Sequence, residues 1–186
     1  YGGNVDTLEN GNVNFINNYV FGAATKIKNR EMINLYGVGN NISHNNISSS
    51  SFQAIRYYGN NHNISNNEIY NVNKASDDAG VIYAGRNYIQ RGSVISYNFL
   101  HDSDAMRNVS RTATMGIYWD DSQAGQYAHH NIVKGISIGA YACGQDNRLE
   151  NNIFVDCSWN GIRFMDHYEG SDERKAREHE QYNAIA

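Results

Sequence analysis

Apolar residues recur along the chain in one short phrase: apolar, two unspecified positions, asparagine, one unspecified position, apolar. Phe15/Asn18/Val20, Ile42/Asn45/Ile47, Ile64/Asn67/Ile69, Ile95/Asn98/Leu100, Ala128/Asn131/Val133 and Leu149/Asn152/Phe154 all fit it. The asparagines stand 27, 22, 31, 33 and 21 residues apart. The shortest spacings suit one coil of a solenoid, and the longer ones imply loops inserted into a coil. Helical repeats are excluded, because Asn, Gly and Ser are poor helix formers and the apolar residues are largely β-branched or aromatic.

Between the asparagine phrases lies a second strand, usually opened by glycine. Gly80 precedes Val81–Ala84, Gly116 precedes Ile117–Asp120, Gly135 precedes Ile136–Gly139 and Gly161 precedes Ile162–Met165. Strict alternation sends Val81, Ile117, Ile136 and Ile162, then Tyr83, Trp119, Ile138 and Phe164, to one apolar face. The opposite face, with Ile82, Tyr118, Ser137 and Arg163, then Ala84, Asp120, Gly139 and Met165, is mixed and reads as solvent-facing. Strands recurring once per coil and stacked about 4.8 Å apart make a parallel β-helix.

The expected fold is all-β, a solenoid of about six to seven coils spanning 1–169. Two loops leave it, within 73–92 and 101–115. Residues 170–186 are charged and read as a solvated tail or a capping segment. In such a stack an asparagine amide can bond turn backbone and the next asparagine along the axis. Nearly all 28 asparagines are therefore read as structural. The glycosylation sequons at Asn41, Asn46, Asn63 and Asn108 fall inside the repeat and are read the same way.

Composition adds exclusions. The chain has 15 basic and 19 acidic residues, a net charge of −4, and no nucleic-acid footprint. No apolar run is long enough to span a membrane. Without an initiating Met or a signal peptide, the chain reads as a processed form or an excised piece. Mean hydropathy is −0.64 while 40% of residues are hydrophobic, a contrast that comes from asparagine rather than charge. Proline is absent, which nothing in the pattern explains. Cys143 and Cys157 have no zinc-ligand spacing and read as free thiols or one bridge between neighbouring coils.

Chemistry concentrates at the strand Gly116–Asp121, which ends in two adjacent acids that its repeats lack. One place past the glycine-led strands stand Gly85, Asp121, Ala140 and Asp166. Asp121 and Asp166 are thus expected two coils apart, roughly 9–10 Å in backbone terms. Side-chain flexing would bring the carboxyls to about 6.5–9.5 Å, the spacing of an inverting glycoside hydrolase. Asp120 is an equally good candidate from sequence. Tyr118, Arg163, Tyr141, His167, Trp159, His101 and Arg86 supply donors and aromatic surfaces for a sugar. Asp77, Asp78, Asp102 and Asp104 read as solvated loop acids, with a calcium site as the alternative. No other metal or cofactor is implied.

The segments Gly116–Asp121, Arg91–Asp102 and Gly144–Cys157 make the chain resemble the right-handed parallel β-helix proteins of bacterial carbohydrate metabolism. Within the pectate-lyase-like superfamily the likeness is to hydrolase-type, fucosidase/xylanase-like members and covers roughly residues 10–166. It implies a secreted, periplasmic or cell-surface protein acting on a carbohydrate, with Asp120 or Asp121 and Asp166 carrying catalysis. Two other readings stay open. One is a polysaccharide lyase using Arg163, Arg86 or Lys134 as base with calcium; the other is a non-catalytic glycan-binding or surface β-helix. No oligomeric state is implied.

Overall fold

A computed structural model describes residues 2–27, 29–103, 113–165, 176, 180 and 183–184. Six coils wind into a right-handed parallel β-helix with three six-stranded parallel sheets. Sheet I stacks Asn14–Ile16, Asn41–Ser43, Asn63–Ser65, Val94–Ser96, Tyr127–His129 and Arg148–Glu150. Sheet II stacks Tyr19–Phe21, Asn46–Ser48, Glu68–Tyr70, Phe99–His101, Ile132–Lys134 and Ile153–Val155. Sheet III has the longer strands: Ile33–Val38, Ile55–Asn60, Ala79–Gly85, Thr114–Asp120, Ile138–Cys143 and Asn160–Met165. An antiparallel pair, Gly3–Asn4 with Glu9–Asn10, precedes the first coil.

The asparagine phrase is the corner between sheets I and II. Before each ladder asparagine one residue adopts the left-handed conformation: Asn17, His44, Asn66, Tyr97, His130 and Asn151, with φ from 52° to 60°. The turned chain aims the next side chain along the axis. Asn18 donates to the Oδ1 of Asn45 at 3.0 Å, Asn45 to Asn67 at 2.9 Å and Asn67 to Asn98 at 2.9 Å. Asn98 then donates to Asn131 at 3.0 Å, and Asn131 to Asn152 at 2.9 Å. The same Oδ1 atoms accept the backbone N–H of the preceding ladder residue, so buried donors are satisfied coil by coil. Two of the sequon residues form an outer row on sheet I with Asn14: Asn63 donates to Asn41 at 2.7 Å and Asn41 to Asn14 at 3.3 Å.

Inside, Ile42, Ile64 and Ile95 of sheet I face Ile47, Ile69 and Leu100 of sheet II, all essentially without exposure. Sheet III adds Ile55, Ile82 and Ile117, with Tyr57, Ala84 and Trp119 one pleat further on. Two polar atoms in this core pair with each other. Trp119 Nε1 donates to the Tyr57 hydroxyl at 2.9 Å, which donates to Gln126 Oε1 at 2.9 Å.

The sheet III register differs from strict alternation. Ala54 with Ile55, and Val81 with Ile82, are consecutive residues that both pack into the core. Pairing also skips one position between Gly80–Met115 and Ile82–Ile117, and again between Met115–Ile138 and Ile117–Ala140, which interrupts the period of two. Gly80 consequently pairs with Met115 rather than Gly116, and Met115 with Ile138, which brings Gly116 beside Gly139 rather than Gly135. Tyr83 and Ile138 therefore face outward, while Ile82 and Ala84 face inward, the reverse of the sequence expectation. A Cβ on Gly116 would meet the Gly139 carbonyl oxygen at 2.5 Å and Val133 at 2.6 Å, so there is no room for a side chain there.

The first expanded stretch, 73–92, contains the strand Ala79–Gly85 between two loops. Residues 104–112 of the second, with Asn108 and Asp104, lie outside the described residues, as does nearly all of the charged tail.

Candidate active site

The outward face of sheet III carries one continuous row: Arg56, Tyr83, Tyr118, Tyr141 and Arg163, each paired with the next. Tyr118 and Tyr141 stack with ring centroids 5.2 Å apart and planes 3° from parallel. Tyr83 meets Tyr118 edge-on at 5.4 Å, and the Arg163 guanidinium lies 5.0 Å from the Tyr141 ring centre. These tyrosines set their faces against each other and against arginine, and their hydroxyls are hydrogen-bonded: Tyr83 and Tyr118 to Asp120, and Tyr141 to the Met165 sulfur. Trp159, 51% exposed, is the aromatic surface left open beside them.

Asp120 ends its strand two residues past Tyr118, on the same face. It is 9% exposed, and both carboxylate oxygens are held. Tyr118 donates to Oδ1 at 2.8 Å and Tyr83 to Oδ2 at 3.0 Å. Burial, then the Asp120 charge, drives both phenols well above their ordinary pKa, so they remain protonated donors. Gly85, paired with Asp120, makes the contact feasible. A Cβ there would stand 2.7 Å from the Tyr83 hydroxyl and 2.8 Å from the Asp120 Cβ.

Asp121 takes a different direction. It has φ +31°, followed by Ser122 at +53°, so the chain turns sharply as the strand ends. Its carboxylate pairs with Arg86 Nε at 3.1 Å, and the Arg86 backbone N–H is shared between the Asp120 and Asp121 carbonyls at 3.2 and 2.9 Å. The two neighbouring acids are thereby distinguished: Asp120 faces the tyrosine row, and Asp121 is neutralised at its edge.

A second carboxylate reaches the row from an unexpected place. Asp78, immediately before the strand Ala79–Gly85, accepts from the Tyr118 hydroxyl at 3.3 Å. One phenolic group thus stands between two acids. Burial of its carboxyl, then the negative charge of Asp120, raise the Asp78 pKa against the opposing Tyr118 hydrogen bond. Asp78 was read from sequence as a loop acid, and Tyr83 as core. The one-residue register shift hid Tyr83, and no spacing rule marks Asp78, whose partner is 40 positions away.

Asp78, Asp120, Asp121 and Arg86 line a cleft of about 370 Å³ with Tyr118, Tyr141, Trp159 and Arg163. Met115 and Ile138 contribute its apolar lining. Of the sequence candidates, Tyr118, Tyr141, Trp159, Arg86 and Arg163 are therefore brought together. His101 is not. It lies on sheet II, stacked on Tyr70 and Phe99 at 5.0 and 4.1 Å, with Asp102 2.8 Å from its Nδ1. Lys134 is also on sheet II, paired with His101, because the corner at its asparagine phrase turns it away from the cleft. Asp166 and His167 lie outside the described residues, so the expected Asp121–Asp166 pairing has no described geometry.

Among the described residues no three His, Cys, Asp or Glu side chains are grouped to hold a metal ion. Asp102 is separated from Asp77 and Asp78, on a different sheet's edge. Both cysteines are free thiols. Cys143 is buried near the cleft, and burial followed by the Asp120 charge pushes its pKa up to about 12, so it is no nucleophile at neutral pH. Comparisons of the chain with protein-family models, with curated proteins and with solved structures find no match.

Proposed function

We propose that the cleft hydrolyses glycosidic bonds, with Asp78 as the proton donor and Asp120 as the charged carboxylate. The observation that carries this reading is the single Tyr118 hydroxyl held between the two acids, at 2.8 and 3.3 Å. Glycoside hydrolysis needs one carboxyl to pass a proton to the leaving group and a second to face the anomeric carbon. The raised pKa of Asp78 suits the first role. Two tyrosine donors hold the Asp120 carboxylate in place for the second.

Asp78 would protonate the leaving oxygen while Asp120 attacks or stabilises the anomeric carbon. Water, deprotonated by Asp78, would then release the sugar. The nearest oxygens of the two acids are no farther apart than two hydrogen bonds end to end. That is short of the roughly 6.5–9.5 Å of inverting enzymes and compatible with about 5–5.5 Å for retaining ones. Net retention is the expected outcome. Trp159 offers the open aromatic surface, and Arg163 and Arg86 the donors. A polysaccharide substrate would also put the protein outside the cell, on its surface or in the periplasm.

Incubation with a panel of plant and algal polysaccharides tests the reading, with reducing-sugar release and the first-formed anomer followed by NMR. Asp120→Asn and Asp78→Asn should each lower release by about 10²–10⁴-fold while the circular dichroism stays unchanged. Growth of ultraviolet absorbance from an unsaturated product would replace hydrolysis by lyase chemistry. Binding without turnover would leave a glycan-binding surface.

A further inference from the structure

On sheet I, away from the cleft, two consecutive histidines are turned toward each other. Neighbours along a strand normally project to opposite faces and cannot share a ligand. His129 is the last residue of its strand, however, and His130 is the left-handed corner, with φ +54°. That corner brings the Nδ1 atoms of both rings within 2.9 Å. The rings are also fixed by their surroundings. His130 stacks on Tyr97 at 5.0 Å, and His129 packs against Tyr97 at 5.5 Å and Tyr127 at 4.6 Å. Tyr127 is anchored in turn by its hydrogen bond to Glu150 Oε2 at 2.7 Å, and Glu150 pairs with His129 across the sheet.

We propose that His129 and His130 form a two-nitrogen site for a divalent transition cation of tetragonal preference, with Cu²⁺ as the best fit and Ni²⁺ next. The geometry selects the class. With metal–nitrogen bonds of about 2.0–2.1 Å, two donors 2.9 Å apart subtend roughly a right angle at the metal. A right angle is the cis angle of a square-planar or tetragonal centre, whereas a tetrahedral zinc site needs its nitrogens farther apart. Both imidazoles must be neutral to bind. Glu150 accepts from Tyr127 through Oε2 and pairs with Arg148 through Oε1, so it holds the Tyr127 ring in place beside His129 rather than supplying free charge. Water would fill the remaining positions.

The repeat itself supplies the control substitutions. Asn occupies the His130 corner in three other coils, as Asn17, Asn66 and Asn151, all left-handed. Ser occupies the His129 position in the neighbouring coil as Ser96, its direct pairing partner. His130→Asn and His129→Ser should therefore fold. The experiment titrates Cu²⁺ into the whole chain and follows it by calorimetry and electron paramagnetic resonance. Wild type should bind one equivalent with a tetragonal spectrum and coupling to two imidazole nitrogens. Each variant should show one coupled nitrogen and affinity lower by at least the roughly 10–100-fold that loss of even an outer-shell partner costs. Unchanged binding in both variants, or no saturable binding to wild type, would leave only a hydrogen bond between two rings. Because the pair is on another sheet, its failure would not touch the hydrolase reading.

Discussion

Asp78 is where chemistry and stability conflict most directly. Its carboxyl titrates above the ordinary 3.8, first from burial and then from the Asp120 charge. The folded protein thus holds this proton more tightly than the unfolded chain. Stability from this group is greatest at low pH and is lost as pH rises from 3.8 through the raised value. Above both, a charged Asp78 beside Asp120 is a standing cost. Asp78→Asn should therefore melt at a higher temperature than wild type at neutral pH, with the gap closing as pH falls through that window. Melting curves at several pH values check it; a pH-independent gap, or a lower neutral melting temperature, removes the account. On the proposed hydrolase reading the same substitution should also lower sugar release by about 10²–10⁴-fold, the trade-off expected where a site keeps a destabilising charge. The sequence marked the Asp120–Asp121 pair, because two acids at one strand's end break the repeat. It could not mark Asp78, whose role exists only once two coils are in register.

At the scale of the element, the asparagine corner was the legible part. Its spacing fixed the coils, and its amides bond along the axis as the repeat implied. Sheet III was less legible, because consecutive inward residues such as Val81 and Ile82 break the alternation on which any reading from text relies. The ladder's direction makes its members unequal. The Asn98 carbonyl accepts from both the backbone and side-chain nitrogens of Asn67, and its amide donates to Ile64 O and Asn131 Oδ1. Asn18, exposed on the first coil, accepts from no ladder neighbour; its amide only donates, to Asn45 and Ile16 O. Leaving buried donors unsatisfied costs about 1–3 kcal/mol each, whereas losing an exposed donor costs about 1 kcal/mol or less. Asn98→Ala should therefore destabilise by roughly 2–5 kcal/mol and Asn18→Ala by no more than about 1 kcal/mol. Urea midpoints of the two variants, compared at unchanged slope, decide it; equal losses would mean the amides act singly rather than as a directed chain.

The described residues form a linear stack, in which the strands of each coil pair with those of the coils above and below. Burial follows that geometry. Every residue of Ala79–Gly85 and Thr114–Asp120 is buried, while Asn160–Met165 is almost wholly exposed, Phe164 by 67% despite its core-facing register. Local opening should therefore be cheapest at the last coil and dearest in the third and fourth. The candidate site straddles this gradient. Asp78, Tyr83, Tyr118 and Asp120 belong to the two best-buried coils, whereas Trp159 and Arg163 come from the last. Hydrogen exchange of the backbone amides should rank these coils in that order. On the proposed hydrolase reading, mild urea should then raise KM before it lowers kcat, because the wall formed by the last coil loosens while the carboxylates stay in place. Uniform protection along the axis, or a parallel loss of kcat and KM, would mean the stack opens as one unit and that its last coil is not a separable wall of the cleft.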